Sequence, residues 1–186
     1  MRTLETDRLL IRAFVMEDAA DFKKLLDAAF GQGGYGSDEA INRLLQFNVI
    51  ADAAHDALHQ PPYEDRAIVV KRSGDLIGAV GLAPCLAPFG QLPSFGSTPH
   101  RTPEVGMFWA LHPGHRGKGY ATEAARAMLS YAFDELHVWR IVATTEHDNV
   151  RSIAVMRRLG MAIGRNPNPE PDWFQTVGVA FNSSAT

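Results

Sequence analysis

The chain has 186 residues, 46% hydrophobic and 21% charged, with a formal net charge of −3. That balance predicts a single globular domain, residues 1–186. The weak negative charge, with only four lysines and no basic run longer than two residues, excludes broad electrostatic binding to nucleic acid. The one cysteine, Cys85, excludes an internal disulfide and a cysteine metal cluster. No stretch reaches the roughly eighteen apolar residues of a membrane span, and charges crowd the first eight positions. The expectation is a cytoplasmic protein with no signal peptide, no membrane contact and no metal.

In chain order, Arg8 to Phe14 alternates charged and apolar residues, a half-buried strand pattern. Glu17 to Phe30 carries Phe22, Leu25, Leu26, Ala29 and Phe30 at helical spacing and stops at Gly31. A glycine-rich link to Gly36 follows, then Ser37 as cap of a second helix running to about His59. His55 and His59 lie four apart on it without a third ligand, so they read as surface histidines. Arg66 to Arg72 and Asp75 to Ala83 form a predicted hairpin about Gly74. Pro84 to Pro103 holds five prolines and almost no periodicity. It is expected to be a long loop, neither helix nor central strand, and a candidate lid on the acceptor side.

Glu104 to Leu111 is the next predicted strand, Thr122 to about Leu136 a helix, and Arg140 to Thr145 a β-branched strand. Asp148 or Asn149 can cap a last helix that ends at Gly160. A strand, helix and strand in that order imply parallel neighbours. Met161 to Gly164 and Phe174 to Phe181 add two strands about a proline-rich turn at Asn166 to Pro171, and 182–186 reads as a frayed tail. The fold class is therefore α/β, with a mixed, largely antiparallel sheet of about seven strands flanked by helices.

Between the fourth predicted strand and its helix lies His115-Arg116-Gly117-Lys118-Gly119-Tyr120-Ala121-Thr122. Two glycines permit positive φ and close approach of a ligand, and the helix start presents unpaired N–H groups at a positive dipole end. Such a turn is suited to phosphate.

Arg116-x-x-Gly119-x-Ala121 resembles the acyl-CoA signature of the GNAT superfamily of N-acetyltransferases. His115 to Ala125 as a block resembles the RimJ/RimL-like branch, the ribosomal-protein alanine acetyltransferases. Thr3 to Arg12 and Glu146 to Met161 resemble that branch's opening strand and last strand-to-helix unit, so the resemblance spans nearly the whole chain. It implies the GNAT fold, with splayed central strands, and acetyl-CoA as acetyl donor. Carried over by position, the pantetheine arm would run along Met107, Phe108, Trp109, Ala110 and Leu111. The pyrophosphate would sit on the amides of Arg116, Gly117, Lys118, Gly119, Tyr120 and Ala121, with Thr122, Asn149 and Ser152 completing the contacts.

Transfer to an amine requires the neutral nucleophile and a protonated or stabilised leaving thiolate. Glu104, at the head of its strand, is the first expected base and Glu146 the second. Many superfamily members place an acidic tyrosine where this chain has Met156, so Ser152, one turn earlier, is the expected donor to the thiolate, with His115 and His147 as alternatives. The resemblance implies an N-acetyltransferase acting on a primary amine, with a protein or peptide α-amino group favoured. Acetylation of a small amine such as an antibiotic, polyamine or amino acid, and a non-catalytic acyl-CoA sensor, stay open. A monomer or homodimer is expected.

Overall fold

The computed structural model describes residues 1–96, 98–167 and 170–182. Among these residues, eight strands form one sheet, β1 (Leu4–Glu5), β2 (Leu9–Arg12), β3 (Asp65–Val70), β4 (Leu76–Ala87), β5 (Thr102–Leu111), β6 (Arg140–Thr145), β7 (Ala162–Arg165) and β8 (Thr176–Phe181), in the order β1-β2-β3-β4-β5-β6-β8-β7. Four helices accompany them, α1 (Ala19–Phe30), α2 (Asp38–Ala57), α3 (Tyr120–Asp134) and α4 (Val150–Arg158). Relative to the expected seven strands, the addition is the two-residue β1, which pairs with β2. None of the described helices is long and apolar enough to cross a membrane.

Contacts divide the chain into two compact units. The first comprises Met1–Leu82 with Phe108–Met128. Its core joins Phe14, Phe22, Leu25, Leu26, Ile41 and Leu45 to Ala67, Val69 and Ala79 on β3 and β4. α1 presents Phe22, Leu25 and Leu26 because these recur at helical spacing, and Phe22 meets Phe14 edge to face at 4.8 Å. Ser37 caps α2 as expected, its Oγ accepting from the amide of Ala40 at 3.2 Å. The turn before α1 is 3-10 rather than α (Met16–Asp18), since Asp18 bends back to accept both Arg12 guanidinium bonds, at 2.7 and 2.8 Å.

The second unit comprises Ala83–Met107 and the chain from Leu129 onward. β6 pairs with β8 over six residues, and β5 runs parallel to β6 over only two pairs, Val105↔Ile141 and Gly106↔Val142. Its core holds Ala87, Phe89, Leu92, Val142, Phe174, Val177 and Val179. This corrects the expected loop at Pro84 to Pro103. β4 continues to Ala87, two 3-10 turns follow at Phe89–Gln91 and Pro93–Phe95, and β5 already begins at Thr102. Pro84 is accommodated because β3 pairing ends at Gly81, leaving one side of β4 free of a ladder there. Phe89 is fully buried, edge to face with Phe174 at 5.1 Å, so the segment supplies core instead of a loose lid.

Asn182, assigned from sequence to a frayed tail, is buried. It donates through Nδ2 to the carbonyls of Phe133 and Val138. The rest of that tail lies outside the described residues, as do Asn168 and Pro169 of the predicted turn.

Candidate active site

In the first unit, the end of β5 leads through a 3-10 turn (Pro113–His115) into the glycine turn. His112 caps that turn, its Nδ1 accepting from the Gly114 amide at 3.2 Å. Gly117 and Gly119 take φ of +76° and +82°, the left-handed region that costs a non-glycine residue about 1–2 kcal/mol. Of the amides from Arg116 to Thr122, only that of Arg116 has a main-chain acceptor among the described residues, Pro113 O at 3.2 Å. The remaining N–H groups and the dipole of the fifteen-residue α3 are suited to an anion. Among the described residues, Thr122 Oγ1 is a buried hydroxyl without a partner and a Cβ built on Gly117 meets no atom within 4 Å. Open amides, an orphaned hydroxyl and an uncrowded glycine fit a pyrophosphate.

The two cations contribute unequally. Lys118 Nζ donates to Gly114 O at 3.2 Å at the exposed turn, whereas Arg116 Nε folds back to Leu111 O at 3.3 Å. Along β5, Met107, Ala110 and Leu111 are buried, and Phe108 and Trp109 are half-buried.

A buttress behind the turn carried no local signal in the sequence. Arg8 NH1 donates to Lys118 O at 2.9 Å, its Nε donates to Glu123 Oε2 at 2.7 Å, and its guanidinium lies 4.5 Å from the Tyr120 ring centroid. Burial alone would raise the Glu123 carboxyl, but the bonds from Thr6 and Arg8 hold it below its ordinary value. Partners 115 residues apart thus tie the glycine turn, at Lys118, to the first turn of α3, at Glu123. Gly119→Val is expected to add left-handed strain and to crowd Arg8 NH2, 3.4 Å from the glycine's Cβ position. The expected result is a loss of about 1–2 kcal/mol in stability and disappearance of the thermal shift caused by millimolar acetyl-CoA. An undiminished shift in the folded variant would return the turn to a plain strand-to-helix connection.

In the second unit, Glu104 is 7% exposed and fully engaged. Arg140 Nε donates to Oε2 at 2.7 Å and its NH2 donates to Oε1, which also accepts from Thr102 Oγ1 at 2.8 Å. The Arg140 guanidinium in turn covers the Phe95 ring at 4.3 Å. Both carboxylate oxygens of the expected base thus accept from donors, two of them in an ion pair with Arg140.

Glu146, at the end of β6, is half-buried. A bond from its own backbone amide, then bonds from Thr145 and Asn149, hold its carboxyl below the ordinary value despite burial. Asn149 caps α4, its Oδ1 accepting from the Ser152 amide at 3.1 Å. Ser152 is half-buried on that helix's first turn. Met156 is buried against Gly178, whose added Cβ would meet its Sδ at 3.0 Å, so no acid occupies that place. His147 is held through Nδ1 by Thr176 Oγ1 at 2.9 Å. Burial, with the charge of Lys118, lowers the His115 imidazole below its usual range, which favours the neutral ring at pH 7.

The family described as acetyltransferase (GNAT) domain matches residues 8–162. The uncharacterized N-acetyltransferase YnaD of Bacillus subtilis is 45% identical over 60 residues, 32% of this chain and 34% of its own length. This chain thus aligns with about a third of that relative. The uncharacterized N-acetyltransferase p20 of Bacillus licheniformis is 25% identical over 168 residues, 86% of this chain and 82% of its own. An acetyltransferase structure from Agrobacterium tumefaciens superposes with a TM-score of 0.70 at 24% identity, covering 97% of this chain and 94% of that one. With the family match spanning most of the chain and a mixed sheet of the same fold, the protein belongs to the GNAT N-acetyltransferase family.

Proposed function

We propose that the protein is an acetyl-CoA-dependent N-acetyltransferase of the RimJ/RimL-like branch whose acceptor is a protein or peptide α-amino group. The observation that carries the choice of acceptor is the state of the two expected bases. Glu104 is clasped by Arg140 and Thr102, and Glu146 is held below its ordinary value. Neither is suited to deprotonating a lysine-like amine, which at pH 7 costs roughly 4–5 kcal/mol, whereas an α-amino group costs about 1 kcal/mol. An acceptor already close to neutral matches this chain.

When bound, acetyl-CoA supplies an activated acetyl thioester. The amides of Gly117 to Ala121, with Lys118 and Thr122 Oγ1, would hold the pyrophosphate, and the β5 main chain from Met107 to Leu111 would align the pantetheine. Asn149 fixes the first turn of α4, and Ser152 would offer its Oγ–H to the departing sulfur. A neutral hydroxyl in that role contributes about 1–2 kcal/mol.

A panel of acceptors tests the proposal by thiol release at pH 7. A peptide with a free α-amino group is expected to exceed an N-blocked lysine peptide and spermidine at least tenfold in kcat/KM. Preference for the lysine peptide or spermidine would move the chain to the small-amine or side-chain class. Binding of acetyl-CoA without turnover of any amine would make it a sensor.

A further inference from the structure

Asp65 opens β3 directly opposite Gly81 of β4. Its Oδ1 lies 2.7 Å from where a Cβ on Gly81 would stand, so glycine leaves room for the carboxylate to lie across β4. Ala67 and Ala79, two residues along on the same face, belong to the core under α1 and α2, and Phe108 of β5 packs against that same core. Asp65 and Phe108 therefore share one face of the sheet. Phe30 stacks on Phe108 with ring centroids 6.5 Å apart, and Tyr35 tilts against Phe30 at 5.0 Å. Phe30 is 45% and Tyr35 38% exposed. Burial and the charge of Asp65 raise the Tyr35 phenol, which puts the carboxylate in electrostatic reach of this aromatic ledge.

A second, independent observation is Asn48 of α2. It is 1% exposed, and its Oδ1 accepts from the Asp65 amide at 3.0 Å. Its Nδ2 is a buried donor with no acceptor among the described residues. A bound acceptor offers such a donor a carbonyl.

We propose that Asp65 is the acceptor-side base, receiving the proton that the amine must lose, with Phe108, Phe30 and Tyr35 seating the acceptor's apolar body. This rests on the acetyltransferase reading above and adds the residue and surface by which the acceptor is taken. One ammonium proton passes to the Asp65 carboxylate and on to solvent. The second amine proton is released as the N–C bond forms and the C–S bond breaks, and it leaves with the thiol, so charge and atoms balance.

Electrostatics agree with the geometry. Burial and the neighbouring Glu64 push the Asp65 carboxyl up to about 6. Facing it, α2 offers neutral Asn48, while its Asp52 and His55 are turned to Arg66 and Glu64. The glycine link offers the raised Tyr35, and β4 offers no side chain at Gly81. A base near 6 is strong enough for an α-amino group near 8 and poorly matched to a lysine above 10.

The test is the pH profile of kcat/KM for Asp65→Asn with the best α-amino peptide from the panel. At pH 6.5 only about one thirtieth of an α-amino group is neutral, so the loss is expected to be on the order of thirtyfold there and about twofold at pH 8. Asp65→Glu should restore part of the rate and keep the dependence on pH. An active wild type with a loss of equal size at every pH overturns Asp65 as base and leaves the acetyltransferase reading intact. A wild type that acetylates no amine overturns both. If Asp65→Asn does not fold, the wild-type profile decides: a rise through about pH 6 supports the base, and a profile that follows only the amine's own titration overturns it.

Discussion

Glu104→Gln is expected to destabilise the fold by about 2–3 kcal/mol, because it strips the charge from one partner of a buried pair and leaves the Arg140 guanidinium undercompensated. The Arg140 side chain is 22% exposed, and glutamine still offers one oxygen, which keeps the cost toward the low end. For a chain of this size such a loss lowers Tm by roughly 5–10 °C. Activity below the new Tm should fall by one factor at all pH values. A variant with unchanged Tm and a deficit that heals as pH rises would restore Glu104 as the base and count against Asp65.

Asp65→Asn should have the opposite effect on stability. The carboxyl sits at about 6 in the folded protein against an ordinary 3.8, so folding is penalised by its ionisation. The penalty is complete above pH 6, diminishes as pH falls from 6 toward 4, and is absent below the unfolded-state pKa. A carboxyl moved that far costs at most about 3 kcal/mol at pH 7. The variant is therefore expected to melt higher than wild type at pH 7 and at the same temperature near pH 4, while turning over more slowly. That combination marks a group held in a costly state for function. Equal melting temperatures at pH 7 would show that the carboxyl is not strained by its surroundings.

Much of the fold was legible because periodicity and punctuation are local. β6 was read to the residue from its β-branched run, and α2 began at its serine cap. Pro84 to Pro103 was misread because proline density is also local. The burial of Phe89 against Phe174 and the end of the β3 ladder at Gly81, which decided its structure, are not. The same division runs through the candidate site.

The sequence by itself determined the strand, glycine turn and helix of the candidate anion site, since positive φ and unpaired amides follow from glycine and from helix geometry within a few residues. It also determined that no tyrosine acid stands at Met156. Only the tertiary structure decided which carboxylates are available. Glu104 meets Arg140 across 36 residues, Arg8 meets Glu123 across 115, and Asp65 is raised by its burial opposite Gly81 and by Glu64 beside it. A carboxylate's basicity is set by the charges, donors and water around it in space, and neighbours brought together by sheet pairing leave no mark in the spacing of either residue.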